Sequence, residues 1–180
     1  RKAARLLTDL GVDAIDINMG CPAKKIVSSD HGSALLKDPS LSEEVVRATV
    51  ESTNLPVSVK MRTGTSCYCQ EDFFDFALRM ERAGAQMLTI HGRTSKQMYG
   101  GCADWTPMYE LKKIVKIPVI GNGDIRSGAD AITKIGNLDG IMVGRGSFGN
   151  PWVFKEIEAA FEGSAYTLPI LKEKLPWILR

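Results

Sequence analysis

The sequence has no apolar run long enough to cross a bilayer, which takes about 20 predominantly apolar residues. It has only two histidines and four cysteines (Cys21, Cys67, Cys69 and Cys102), too few and too unevenly spaced for a disulfide framework. Cys67-x-Cys69 is not a zinc spacing, so no metal is expected, and the cysteine usage fits a reduced, intracellular protein. Charge of one sign is missing too. With 23 basic and 21 acidic residues the net charge is +2, so bulk charge does not announce a nucleic-acid binder, although a near-neutral chain can still carry a basic face. No G-x-G-x-x-G turn follows an early strand, which argues against an open dinucleotide-binding sheet.

What is present is an alternation of short β-branched runs with longer helical patterns. "DAIDIN" (13–18), "VSVKMR" (57–62), "MLTIHG" (87–92), "PVIGNG" (118–123) and "GIMVGRG" (140–146) read as strands. Their apolar character, with polar residues at the exit ends, predicts parallel strands buried on both faces. In "EDFFDFALRMERAGA", Phe73, Phe76, Ala77, Met80 and Ala83 recur at helical spacing, and Gly84 suits the turn that ends the helix. Met108, Leu111 and Val115 repeat the pattern, as do Ile132 and Ile135; Ser42 and Ser127 read as N-caps. Repeated β–loop–α units predict a parallel α/β fold. Polar groups at every strand exit (Asn18, Lys60, His91, Asn122, Arg145) favour a barrel, whose strand ends converge on one mouth. A full (β/α)8 TIM barrel has eight units in about 250 residues. The 180 residues here supply about five, so the expectation is a partial TIM barrel, its C-terminal βα units, over 1–162. The opening "RKAARLLTDLG" reads as the back half of a helix, and 163–180 as the start of a C-terminal helical region.

Several groups at the strand exits have chemistry to offer. "GNGDI" and "GIMVGRGSFGNPW" put Gly123, Gly144, Gly146 and Arg145 at the ends of the last two strands, where barrels bind phosphate with backbone N–H groups. Tight turns alone would use the same glycines. Lys60 ends an otherwise apolar strand and is expected either to meet an anionic ligand in the mouth or to pair with a carboxylate. His91 and Arg93 hold the corresponding place one strand later. Cys21 follows Asn18 at its strand exit; an ordinary thiol is protonated at neutral pH, which suits a proton donor better than a nucleophile. A free cysteine is also a common packing residue, and residue chemistry alone leaves both readings open.

The motifs "DINMGCPAKK", "GSALLKDP", "VKMRTG", "LTIHGRT", "QMYGGCADW", "IPVIGNGDI" and "MVGRGSFGNPWVF" resemble those of the tRNA-dihydrouridine synthases, in that family's order, and most nearly the bacterial-type members. The resemblance implies an FMN-dependent reduction of uridines in tRNA to 5,6-dihydrouridine, with NADPH as reductant. It implies Cys21 as the catalytic proton donor, with Asn18 and Arg93 toward the substrate. Lys60 and His91 would face the flavin, while Asn122, Gly123, Asp124, Gly144 and Arg145 would hold its phosphate and ribityl chain. A cytoplasmic monomer with tRNA as partner, and the region over 163–180 leading into a tRNA-binding segment, follow from the same likeness. Departures are Ser95, where relatives often carry a basic residue, the absence of the first barrel strands, and the cysteine-rich loop "TSCYCQEDF". The competing expectations are another FMN barrel of the dihydroorotate-dehydrogenase kind and a catalytically silent RNA-binding fragment.

Overall fold

Alternation along each strand, more than overall apolarity, organises the molecule. In "VSVKMR", Val57, Val59 and Met61 are at most 1% exposed, and a two-residue repeat puts Ser58, Lys60 and Arg62 on the opposite face. A computed structural model of the chain describes residues 1–170, 172, 173 and 175. Its elements, in chain order, are α1 (Lys2–Asp9), β1 (Ile15–Met19), α2 (Lys24–Val27), a 3-10 segment (Gly32–Lys37), α3 (Pro39–Val50), β2 (Val57–Arg62), α4 (Gln70–Arg82), β3 (Met87–His91), α5 (Thr106–Lys112), β4 (Val119–Asn122), α6 (Gly128–Ile135), β5 (Gly140–Met142), a 3-10 turn (Arg145–Ser147) and α7 (Val153–Glu162).

The five strands form one parallel sheet in the order β1-β2-β3-β4-β5, each joined to the next by a crossover that contains a helix. This consecutive order is that of a barrel wall, and the fold is a partial TIM-barrel-like α/β structure. The core lies between sheet and helices: Met19, Val59, Met61, Leu88, Ile90 and Val119 pack in one cluster with Phe73, Phe76, Met80, Met108 and Leu111. Each such side chain contributes about 1.5–3 kcal/mol when fully removed from water. The opposite face of the sheet is polar. The register pairs Asn18 with Lys60, Arg62 with His91 and His91 with Asn122, so these side chains stand in adjacent rows on that face.

Four expectations change. The strands are apolar on one face only, because the other lines a cavity. Ser42 is not an N-cap: it is buried inside α3 and donates to the Leu35 carbonyl, whereas the Asp38 carboxylate caps the helix by accepting from Leu41 N–H. The last strand stops at Met142 instead of 146, since Gly144 breaks from extended geometry (φ −107°, ψ −108°) and a 3-10 turn follows. In α6 the buried positions are Gly128 and Ala131, while Ile132 is 46% exposed. Ser127 does cap α6, accepting from Asp130 N–H at 3.1 Å. Past Gly163, residues 164–170 have no regular structure, and of the helical region expected over 163–180, residues 171, 174 and 176–180 lie outside those described.

Candidate active site

At the C-terminal ends of the strands a cavity of about 320 Å³ opens. Its lining includes Asn18, Cys21, Lys60, His91, Asn122, Gly123, Asp124, Gly144 and Arg145, all expected from the sequence, and brings together groups from all five strands or the loops that follow them. It also includes Arg62, Tyr99, Arg126 and Phe148.

The loop bearing Cys21 is held from two sides. Asn18 Oδ1 accepts from the backbone N–H groups of both Gly20 and Cys21 at 3.0 Å, a local turn that folds the chain back at the strand exit. Ser33 N–H donates to the Cys21 carbonyl at 2.9 Å. Gly32 makes that approach feasible: its φ is +59°, and a Cβ there would sit 2.7 Å from the Cys21 carbonyl oxygen. Cys21 is half-buried and its thiol is free, as are those of Cys67, Cys69 and Cys102.

Lys60 Nζ donates to Asn122 Oδ1 at 3.3 Å, and Asn122 in turn donates to the Met142 carbonyl, so one short chain of bonds crosses β2, β4 and β5. Burial, followed by the neighbouring Arg62 charge, lowers the Lys60 ammonium below its ordinary value; Asp16 partly offsets this. His91 is lowered further, to about 3, by burial and by the charges of Arg62, Lys60 and Arg93. At neutral pH the ring is uncharged, a hydrogen-bonding group and not a cationic acid.

Asp124 organises the far side. Its carboxylate accepts from Arg93 through both Nη atoms (3.0 and 2.8 Å), from Ala103 N–H (2.8 Å) and from Arg145 (3.4 Å). Burial alone would push this carboxyl up, but the bonds from Arg93 and Ala103 and the arginine charges hold it below the usual carboxylate range. Lys134 Nζ donates to its carbonyl at 2.7 Å. These contacts hold Asp124 at a φ of +53°, a conformation uncommon for a residue with a side chain.

Arg93 departs from expectation. It is 2% exposed and does not line the cavity, because the turn after Gly92 sends its guanidinium back to Asp124 and to the carbonyls of Gly100 and Gly101. Its guanidinium is spent on framework contacts instead of facing the cavity. Arg62, Tyr99, Arg126 and Phe148 are lining residues that sequence reasoning missed. Strict alternation with Lys60 places Arg62 on the cavity face, a signal that was there to use. Tyr99 sits on an irregular loop, and the Arg145 guanidinium stacks over its ring at 4.4 Å, a pairing no local pattern announces.

The site suits an anion. Four cations, Lys60, Arg62, Arg126 and Arg145, line it against one carboxylate, Asp124, which is already paired. Gly144, Gly146 and Gly149 stand in G-x-G-x-x-G spacing between β5 and α7. A Cβ on Gly146 would lie 2.2 Å from the Ile125 carbonyl oxygen, so the turns after β4 and β5 touch, whereas a Cβ on Gly144 would meet only Asn122 Nδ2, at 4.0 Å. Close-set turns with open space at Gly144 and Arg145 beside them are what a phosphate-bearing cofactor needs. Among the described residues no group of three or more His, Cys, Asp or Glu side chains could hold a metal ion, and no helix is long and apolar enough to cross a membrane.

The family model described as dihydrouridine synthase (Dus) matches residues 1–179. The chain is 44% identical over 178 residues to the probable tRNA-dihydrouridine synthase of Rickettsia conorii, covering 97% of this chain and 53% of that protein. It is 42% identical over 182 residues to tRNA-dihydrouridine synthase B of Pasteurella multocida, covering 99% and 54%. The chain thus spans about half the length of these curated relatives. Among solved structures, DHODH from Eimeria tenella in complex with ferulenol matches with a TM-score of 0.61 at 15% identity, over 83% of this chain and 49% of that one. A putative phosphonomutase from Burkholderia cenocepacia matches with a TM-score of 0.57 at 17% identity, over 78% and 64%. At these identities the likeness is one of fold.

Proposed function

Since the chain belongs to the dihydrouridine synthase family, we propose that it forms the catalytic half of an enzyme that reduces uridine in tRNA to 5,6-dihydrouridine, using FMN and NADPH. The observation that carries this reading is the shared cavity: a cysteine loop at one wall faces a cationic pair of glycine turns at the other. When bound, FMN supplies hydride-transfer chemistry between NADPH and the C5–C6 double bond of uracil. Lys60, Asn122, Gly123, Gly144 and Arg145 are the residues that would hold it, with Arg145 at the phosphate and Asp124 fixing Arg145 from behind.

The remaining work falls to the chain itself. Reduction of uracil adds a hydride equivalent at C6 and a proton at C5, while NADPH becomes NADP⁺. The Cys21 thiol, set at the mouth, donates the proton. Asn18 spends its carbonyl oxygen on the Cys21 loop; its amide nitrogen, without a partner among the described residues, donates to a uracil carbonyl. Lys60 contributes positive charge where negative charge develops, in a setting that strengthens the effect. Neutral His91 contributes a hydrogen bond and no proton. Lys24 and Lys25, exposed on α2 just beyond Cys21, suit a polyanionic substrate better than a small acid. The barrel segment is taken as 1–162; Gly163 ends α7 in a left-handed conformation, and the chain beyond it, which leaves the β–α rhythm, leads into a tRNA-binding segment.

The test is direct. Protein purified from the native gene should take up FMN, show flavin absorbance, and form dihydrouridine in unmodified tRNA only when NADPH is supplied, as read by nucleoside mass spectrometry. A protein that cannot be loaded with FMN, or one that oxidises NADPH without altering tRNA, would overturn the reading.

A further inference from the structure

Two loops distant in sequence are tied together by one side chain at the rim of the cavity. Arg62 ends β2, is 3% exposed, and donates three ways. Its Nε reaches the Gly20 carbonyl at 2.8 Å; its Nη1 reaches the carbonyls of Thr94 at 2.9 Å and Met98 at 3.0 Å. Gly20 immediately precedes Cys21. Thr94 and Met98 bracket the first part of the loop that carries Tyr99 over the cavity. Met98 sits at a φ of 49°, a left-handed backbone that a residue with a side chain keeps only when its surroundings hold it. Arg93 grips the same loop farther on, at Gly100 and Gly101, but its other contacts are Asp124 and His91, not the Cys21 loop. Only a planar guanidinium has donors in the right directions for all three Arg62 bonds; a lysine of similar reach is a single point.

We propose that Arg62 is a positioning residue that locks the Cys21 loop to the loop over 94–101, setting the thiol and Tyr99 at the mouth as one unit. The value of this lock to proton donation rests on the function proposed above; the lock itself does not. Its signature is coupling: loosening one loop should loosen the other.

Amide hydrogen exchange on the protein, with Arg62→Lys and Arg93→Lys variants, reads this directly. In Arg62→Lys the amides over 19–24 and those over 94–101 should exchange together, about tenfold faster than in the parent. In Arg93→Lys the acceleration should be strongest at 100–101 and around Asp124, and the intact Arg62 lock should pass only about a twofold increase to 19–24. Alkylation of Cys21 by iodoacetamide should rise in Arg62→Lys, with the exposed Cys67 and Cys102 reacting at parental rates as internal controls. Unchanged exchange over 19–24 and unchanged Cys21 alkylation would overturn the lock; if tRNA reduction were nonetheless abolished, Arg62 would be a substrate contact instead. Coupled loosening in a protein whose parent does not reduce uridine would uphold the lock and overturn the proposed function. Should Arg62→Lys fail to fold by circular dichroism, Gln97→Ala replaces it. Gln97 is exposed and its side-chain oxygen accepts from Thr94 N–H at 2.7 Å. The lock requires that this variant also speed exchange over 19–24, by about twofold; acceleration confined to 94–101 overturns it.

Discussion

At His91, burial and three neighbouring cations, Arg62, Lys60 and Arg93, all disfavour the charged ring. The unfolded chain takes up a proton near 6.5, the folded chain only near about 3. The neutral ring's contribution to stability is therefore complete above 6.5 and is lost progressively as pH falls toward 3. Asp124, Asp130 and Asp139 have carboxyls held below 3.8, so their contributions fade only lower still. His91→Gln should accordingly flatten the fall in melting temperature between pH 6.5 and the carboxylate range, with little change above it; an unaltered slope would mean that His91 takes up its proton as readily folded as unfolded. Cys21 makes a different kind of demand. Cys21→Ala should slow dihydrouridine formation by about two to four orders of magnitude, the usual worth of a matched general acid. Flavin reduction by NADPH, measured by loss of flavin absorbance, should stay within a few-fold of the parent. Equal loss of both half-reactions would make Cys21 a packing residue.

Helix caps belong to the next scale up, because they decide where each element begins and so where the following strand exit points. Asp38→Ala and Ser127→Ala each remove a side-chain acceptor from an N-terminal amide, of Leu41 and Asp130 respectively. Each should cost about 1 kcal/mol in urea unfolding, whereas Ser42→Ala should act through its buried hydroxyl and the Leu35 carbonyl instead. Ser127 was legible as a cap because a helical pattern starts directly after it. Ser42 misled because Pro39 starts the helix earlier, leaving the serine inside it. The same logic governs the strands. "VSVKMR" states its two faces outright, and following that alternation finds Arg62 beside Lys60; treating the run as uniformly apolar hides it. Strand-exit residues were readable because parallel α/β architecture gathers them wherever they occur in the chain. Arg93 was not, since its direction is decided by one turn after Gly92. Nor was Tyr99, whose partner Arg145 comes from a connection two strands farther along.

For the whole molecule, a net charge of +2 conceals a concentrated field. Lys60, Arg62, Arg126 and Arg145 surround the cavity, and Lys24 and Lys25 extend the positive region past Cys21. Binding of tRNA should weaken log-linearly with salt, and the double change Lys24→Ala with Lys25→Ala should lower the magnitude of that slope by about 0.7–0.9 for each phosphate left without its lysine. An anisotropy titration across a potassium chloride series measures it; an unchanged slope would remove α2 from the RNA interface.

The cavity also has a history in time. Its lining runs from Asn18 to Phe148, and Lys60 on β2 reaches Asn122 on β4 across the intervening β3. A ribosome releases these residues in order, so Cys21 and Lys60 emerge before Asn122, Gly144 and Arg145 have been made. At about 5–20 residues per second that interval is on the order of ten seconds. Throughout it the nascent chain carries the Cys21 loop and Lys60 with no opposite wall, and the docking of β5 brings Gly144 and Arg145 to the cavity. A product stalled before β5 would therefore carry the Cys21 loop and Lys60 without the turns that form the other side of the cavity.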